Sequence, residues 1–272
     1  MNAQKEIQRI KDWLLDYKKT TKCKGVVLGL SGGKDSTVVA MLVKAVWGDN
    51  MLCLLMPNGE QKDISDSLAI ADALRVPHKI VNIETIYNSL IHVTENSIAE
   101  VPKNVFHGET VYERDYVQNC PRITEKAKTN IPPRIRMTIL YAVAQTRGYR
   151  VAGTGNLSEA YIGWFTKWGD GAHDFNPIAH LTCSEVIEIG KELAKEYGLD
   201  EKYIVKTPAD GLSGKSDEEN FGFSYAMLDR HIRTNPSERV DGTLDGQKIE
   251  RKHSETAHKR ALPLKIAGKP LD

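Results

Sequence analysis

Residues Val26 to Ser36 read V-V-L-G-L-S-G-G-K-D-S. A short apolar run rich in β-branched side chains gives way to Gly32 and Gly33, then to Lys34, Asp35 and Ser36. Beyond them Val38, Val39, Leu42, Val43 and Val46 recur at helical spacing. The order is strand, tight loop, helix. Such a turn leaves the first N–H groups of the helix without partners, converging on one point with the positive end of the helix dipole behind them. Gly32 and Gly33 have no Cβ, so an anion can approach the backbone closely, and Ser31 and Ser36 add hydroxyl donors. The stretch reads as a phosphate cradle. It is neither the G-x-x-x-x-G-K-[ST] loop nor the G-x-G-x-x-G fingerprint.

The same alternation runs on through the first half of the chain. Residues 3–19 carry Ile7, Ile10, Trp13, Leu14 and Tyr17 at helical spacing, which predicts an amphipathic helix packed on a sheet or on a partner subunit. Gly25–Leu30 is the first strand, and Met51–Met56 is a second, apolar on both faces as a parallel strand under helices must be. Residues 61–74 and 84–99 are expected as helices around a third strand, Lys79–Ile83. Residues 101–130 break the rhythm; Pro132 and Pro133 are expected to open the next helix. Arg150–Gly153 is the fourth strand and runs into a second glycine-rich turn, Gly153-Thr154-Gly155-Asn156. Helices are expected over 183–196 and 217–233, with a loop of small residues at 208–216 and a polar tail from 234. The predicted fold is α/β, a doubly wound parallel sheet flanked by helices, in one domain spanning residues 1–272. Open sheets of this kind place ligands at the carboxyl ends of their strands, where both glycine-rich turns lie.

Composition narrows the function classes. The chain has 272 residues and a formal net charge of +1, so no global basic field draws it to nucleic acid or to an anionic membrane. No apolar run approaches the ~20 residues that span a bilayer. Met1 to Lys19 mixes charged and apolar residues and does not read as a signal peptide. Cys23, Cys53, Cys120 and Cys183 lie far apart with no C-x-x-C pair, so reduced thiols in a cytoplasmic protein are the expectation, and a zinc site is not. His173, Asp174 and His180 follow no metal-ligand spacing either.

The string S-G-G-K-D-S after a buried strand resembles the pyrophosphate-binding loop of the N-type ATP pyrophosphatases. Further segments sharpen the resemblance. They are Arg134-Ile135-Arg136-Met137, Gly153-Thr154-Gly155-Asn156-Leu157-Ser158-Glu159, Thr166-Lys167-Trp168-Gly169-Asp170-Gly171, Asp174-Phe175-Asn176-Pro177 and His258-Lys259-Arg260. In this order the chain is similar, nearly end to end, to the NAD synthetases. That resemblance implies a Rossmann-like sheet of the adenine nucleotide alpha hydrolase type. It implies an ammonia-dependent reaction on deamido-NAD with ATP and Mg2+, and a homodimer. It implies that Gly29, Leu30, Ser31, Gly32, Gly33, Lys34, Asp35 and Ser36, with Thr154, hold ATP. It implies Asp35 and Glu159 as magnesium ligands, hard oxygen donors beside phosphate. Arg134, Lys167 and Asp174 would contact deamido-NAD, and His258 and Lys259 would close over it from the tail. Asp35, Glu159 and Asp174 are the catalytic candidates, Asp174 as acceptor of a proton from incoming ammonium.

Taken singly, several of these residues read otherwise. Lys34 in a loop is by default a solvated charge, and Glu159 an exposed helix carboxylate that only the preceding G-T-G-N turn lifts. Trp164, Phe165 and Trp168 read as packing residues rather than base-stacking platforms. The family pattern often has lysine where Cys183 stands and a hydroxyl residue where Ala209 stands; Lys34 or Lys215 can supply the first, Ser213 the second. The chain leaves no room for an added amidase domain beside the cradle, so free ammonia is the expected nitrogen donor. The alternatives are another ATP pyrophosphatase, tRNA-modifying or GMP-synthetase-like, and a nucleotide sensor that keeps the loop without turnover. Wide cysteine spacing and near-neutral charge weigh against the first, retention of both carboxylates against the second.

Overall fold

The computed structural model describes residues 1–60, 64–98, 122–206, 216–235 and 243–261. Helix α1, Ala3–Thr21, starts where the Asn2 side chain accepts from the Lys5 N–H, and buries Ile7, Ile10 and Leu14. Strand β1, Val26–Gly29, leads into α2, Lys34–Trp47. Then come β2, Met51–Leu55, α3, Ile64–Ala73, β3, His78–Ile80, and α4, Glu84–Ser97. Helix α5, Glu125–Arg147, precedes β4, Arg150–Val151, and α6, Leu157–Ile162. The remaining helices are α7, Cys183–Tyr197, α8, Lys202–Val205, α9, Asp217–Phe221, α10, Tyr225–Arg233, α11, Leu244–Glu255, and α12, Ala257–Arg260.

The four strands pair in parallel in the order β3-β2-β1-β4. The chain therefore steps outward from β1 through β2 to β3, then returns to the other side of β1. That reversal opens a crevice beyond the carboxyl ends of β1 and β4, which is where both glycine-rich turns lie. Alternate strand residues feed the two faces. Val26, Leu28, Met51, Cys53 and Leu55 join α1, α2 and α7 in one core. Val27, Leu52, Leu54 and Val151 meet α5 residues Ile131, Ile135, Leu140 and Ala144 in the other. Val26, Val27 and Leu28 are fully buried, each contributing about 1.5–3 kcal/mol relative to exposure. A third, smaller cluster gathers Ile162, Cys183, Phe221, Phe223, Tyr225, Leu228 and Ile249 under the C-terminal helices.

Three sequence expectations are corrected. The helix after the irregular stretch begins at Glu125, with the Thr124 hydroxyl accepting from the Ala127 N–H at 3.3 Å, so Pro132 and Pro133 lie inside it. Its first turns are polar and carry no apolar period to betray them. The helix expected over 217–233 is two helices, broken at Gly222, whose φ of 79° is left-handed. The polar tail contains α11 and α12. The loop 208–215, with Ala209, Ser213 and Lys215, and Cys120 fall outside the described residues. No described helix is long and apolar enough to cross a membrane.

Candidate active site

The turn after β1 has the conformation its composition requires. Gly32 has φ +80°, and a Cβ there would stand 2.9 Å from the Ser67 hydroxyl. Gly33 is the N-cap of α2 with no side-chain cap, so the first amides of a 14-residue helix face the crevice without a protein hydroxyl covering them. The loop is braced from within: Ser31 N–H donates to Ser36 Oγ (3.2 Å), Ser36 Oγ to the Gly33 carbonyl (3.0 Å), and Thr37 Oγ1 to the same carbonyl (2.8 Å).

Two carboxylates that are 124 residues apart in sequence share one asparagine. Asn156 Nδ2 donates to Asp35 Oδ1 at 3.1 Å, and its backbone N–H donates to Glu159 Oε2 at 2.9 Å. Asn156 Oδ1 in turn accepts from the Glu159 N–H, closing a capping box at the start of α6. Asn156 itself is fully buried. Sequence reasoning names Asp35 and Glu159 but passes over Asn156; the signal was there, since an asparagine three residues before a glutamate is a helix-start pattern.

Lys34 is not a solvated loop charge. It is 4% exposed, and its Nζ lies 2.7 Å from Asp35 Oδ2 and 5.6 Å from the centroid of the Tyr225 ring. Burial alone would discharge the ammonium, but the Asp35 carboxylate, with Cys183 and Glu159 nearby, holds its pKa above the ordinary lysine value. Cys183 stands in that same field; burial nonetheless pushes its thiol up to about 12, which keeps it an inert neutral group. Of Lys34 and Lys215, Lys34 is the one the described residues place beside the cysteine. Glu159 is raised above the usual carboxylate range, by burial first and by the Asp35 charge second. Asp217, whose Oδ2 accepts from Tyr225 Oη at 2.9 Å, adds to that push.

The residues expected on the acid substrate form a second group. Arg134 Nε donates to the Lys167 carbonyl (3.3 Å), Lys167 Nζ to the His258 carbonyl (2.5 Å), and Lys259 Nζ to the carbonyls of Gly163 (2.8 Å) and Phe165 (2.7 Å). Asp174 makes its contacts at the end of β4, where Oδ2 accepts from the Val151 N–H at 2.8 Å and its charge raises the pKa of Tyr17 and Tyr141 beyond what burial does. Thr154 lies between Gly153, whose N–H donates to the Phe175 carbonyl, and Asn156. Trp168 is 59% exposed with a left-handed φ of 65°, so of the three aromatic residues near it in sequence it does not pack as expected, whereas Trp164 meets Phe221 edge to face at 4.9 Å.

Comparison with known proteins finds relatives over nearly the whole chain. The family model described as NAD synthase matches residues 6–263. An NH(3)-dependent NAD(+) synthetase of Carboxydothermus hydrogenoformans is 34% identical over 267 residues, covering 97% of each chain. Among solved structures, an NMN synthetase from Francisella tularensis superposes with a TM-score of 0.80 at 30% identity, over 98% of this chain and 99% of that one. An NH3-dependent NAD synthetase from Campylobacter jejuni, in complex with nitrate, gives a TM-score of 0.68 at 27% identity over 98% of this chain and all of the other. With a family match over most of its length and a curated relative of that identity, the chain belongs to the NAD synthase family.

Proposed function

We propose that this chain is an ammonia-dependent NAD+ synthetase, a ligase that joins ammonia to the nicotinate carboxylate of deamido-NAD at the expense of ATP. The observation that carries the reading is the Asn156 side chain and backbone tying Asp35 and Glu159 together at the mouth of an uncapped helix.

A carboxylate is inert to ammonia because oxide is no leaving group. Attack of the nicotinate oxygen on the α-phosphorus of ATP breaks the bond to the β-phosphate bridge, forms an acyl adenylate and releases diphosphate. Ammonia then adds to the acyl carbon, loses a proton, and AMP departs. The first step gathers negative charge on diphosphate, where the amides of Lys34 to Ser36 and the Lys34 ammonium stabilise it. Asp35 and Glu159 fit a magnesium site, since both are oxygen donors and such ions take one or two carboxylates with phosphate oxygens. Bound there, the ion would neutralise phosphate charge. Burial and the charges of Asp35 and Asp217 raise the pKa of Glu159 against the opposing pull of Lys34, so a cation placed there would relieve the crowding of negative charge. Arg134, Lys167, His258 and Lys259 offer the acid substrate a basic wall, and Asp174 takes the proton that ammonium brings.

A second choice of acid follows from the likeness to the Francisella protein, an NMN synthetase: nicotinate mononucleotide in place of the dinucleotide. We further propose a cytoplasmic homodimer, supported by the reduced, buried Cys23, Cys53 and Cys183 and by an apolar stripe on α4, Ile86, Leu90 and Val93, exposed by 40–54%. Purified protein given ATP, Mg2+ and ammonium, with deamido-NAD or nicotinate mononucleotide, tests the reaction. Diphosphate release that requires deamido-NAD, and amide product that requires ammonium, is the expected result; release without any pyridine acid overturns it.

A further inference from the structure

Helix α6 joins the two groups of the site. Near its start it carries Glu159. At its other end the turn at Gly163 and Trp164 satisfies the carbonyls of Ala160 and Glu159, and the tail adds further donors there and at Tyr161 and Gly163. His253 Nδ1 lies 2.8 Å from the Tyr161 carbonyl, Lys259 Nζ donates to Gly163 (2.8 Å), and Arg260 donates to Ala160 (3.3 Å). Basic side chains at a helix C-terminus are favoured by its dipole. Side chains lock the same joint. Tyr161 Oη donates to Glu250 Oε1 at 2.9 Å, the oxygen that also meets His231 Nε2 at 2.6 Å. The Tyr161 ring lies on the His253 ring with centroids 4.1 Å apart. The joint is tight: a Cβ on Gly163 would stand 2.4 Å from Thr256 Cβ.

The tail so held is the one that presents His258 and Lys259. A six-residue helix is roughly 9 Å long and stiff, so a force on one end reaches the other without loss to bending. We propose that Tyr161 is a positioning residue that latches α11 to α6 and so couples occupancy of the acid subsite to the setting of Glu159 at the phosphate end. This rests on the reading above, in which His258, Lys259 and Lys167 face the acid. Tyr161 touches no substrate; it acts through the helix it shares with Glu159.

The test measures affinity for α,β-methylene-ATP with Mg2+ by calorimetry, with and without saturating deamido-NAD. The wild type binds the analogue at least about fivefold more tightly with the acid present, the low end of ordinary coupling between sites. Tyr161→Leu removes that difference while leaving the affinity without acid within about twofold. Tyr161→Phe, which keeps the ring on His253 and loses only the Glu250 bond, lies between. Limited trypsin digestion without ligand, read by mass spectrometry, cuts Tyr161→Leu after Arg251, Lys252 and Lys259 faster than wild type. Equal coupling in wild type and Tyr161→Leu, no coupling in wild type, or equal loss of analogue affinity with and without acid overturns the proposal. Should Tyr161→Leu fail to fold, wild-type coupling in Tyr161→Phe overturns it. A wild type that turns over no deamido-NAD fails the substrate reading instead, and the ligand-free digestion reports on the latch regardless.

Discussion

Asp35 serves two partners at once, the Lys34 ammonium and the Asn156 amide, and is the carboxylate proposed to hold magnesium. Asp35→Asn keeps the shape and loses the charge, so diphosphate release should fall by about 100-fold or more while circular dichroism is unchanged. Asn156→Ala acts differently. It removes the N-cap of α6, a fully buried side chain, and leaves Asp35 Oδ1 without its amide. Denaturant unfolding should report a loss of about 1–2 kcal/mol, and activity should fall with it. Asp35 and Glu159 were legible in sequence because each follows a glycine-rich strand end. Lys34 was named beside them, but its burial was not legible, since that comes from Tyr225 and Cys183, far along the chain, and nothing in a local window reports it.

Two glycines at helix ends separate backbone strain from steric fit. Gly222 closes α9 at φ 79° with open space around its missing Cβ, so Gly222→Ala should cost about 1–2 kcal/mol, the left-handed penalty alone. Gly163, at φ 66° and pressed on Thr256, should cost more when made alanine, and urea midpoints of the two variants would rank them. Helix α1 predicts a pH effect. A hydrogen bond from Arg9, helped by His180 at 2.7 Å, holds the Glu6 carboxyl down to about 2 against the pull of partial burial. A depressed carboxylate stabilises the fold above its unfolded value near 4.5, and that contribution is lost as pH falls toward 2. Glu6→Gln should therefore flatten the dependence of thermal midpoint on pH between about 5 and 2. Helices with a strong apolar period, α1, α2 and α7, were legible; α11 was not, because Ile249 is the one large apolar side chain it buries.

At the scale of the molecule, alternation of apolar runs with helices predicts a parallel sheet with its two glycine-rich turns, whereas the order β3-β2-β1-β4 and the crevice between β1 and β4 are seen only in the structure. Assembly could not be read so directly. Leu90→Glu places a charge in the α4 stripe, and sedimentation should show the proposed dimer for the wild type and a monomer for the variant; an unchanged mass would move the contact elsewhere. The flanking strands β3 and β4 have three and two residues, with Lys79 in one and Arg150 in the other. Unpaired strand margins invite backbone pairing between molecules, and brevity with a cation is a common way to refuse it at β3, while Asp174 and Phe175 already take up the outer margin of β4. Among the described strands, the sheet thereby offers little purchase for fibrous growth along its edges.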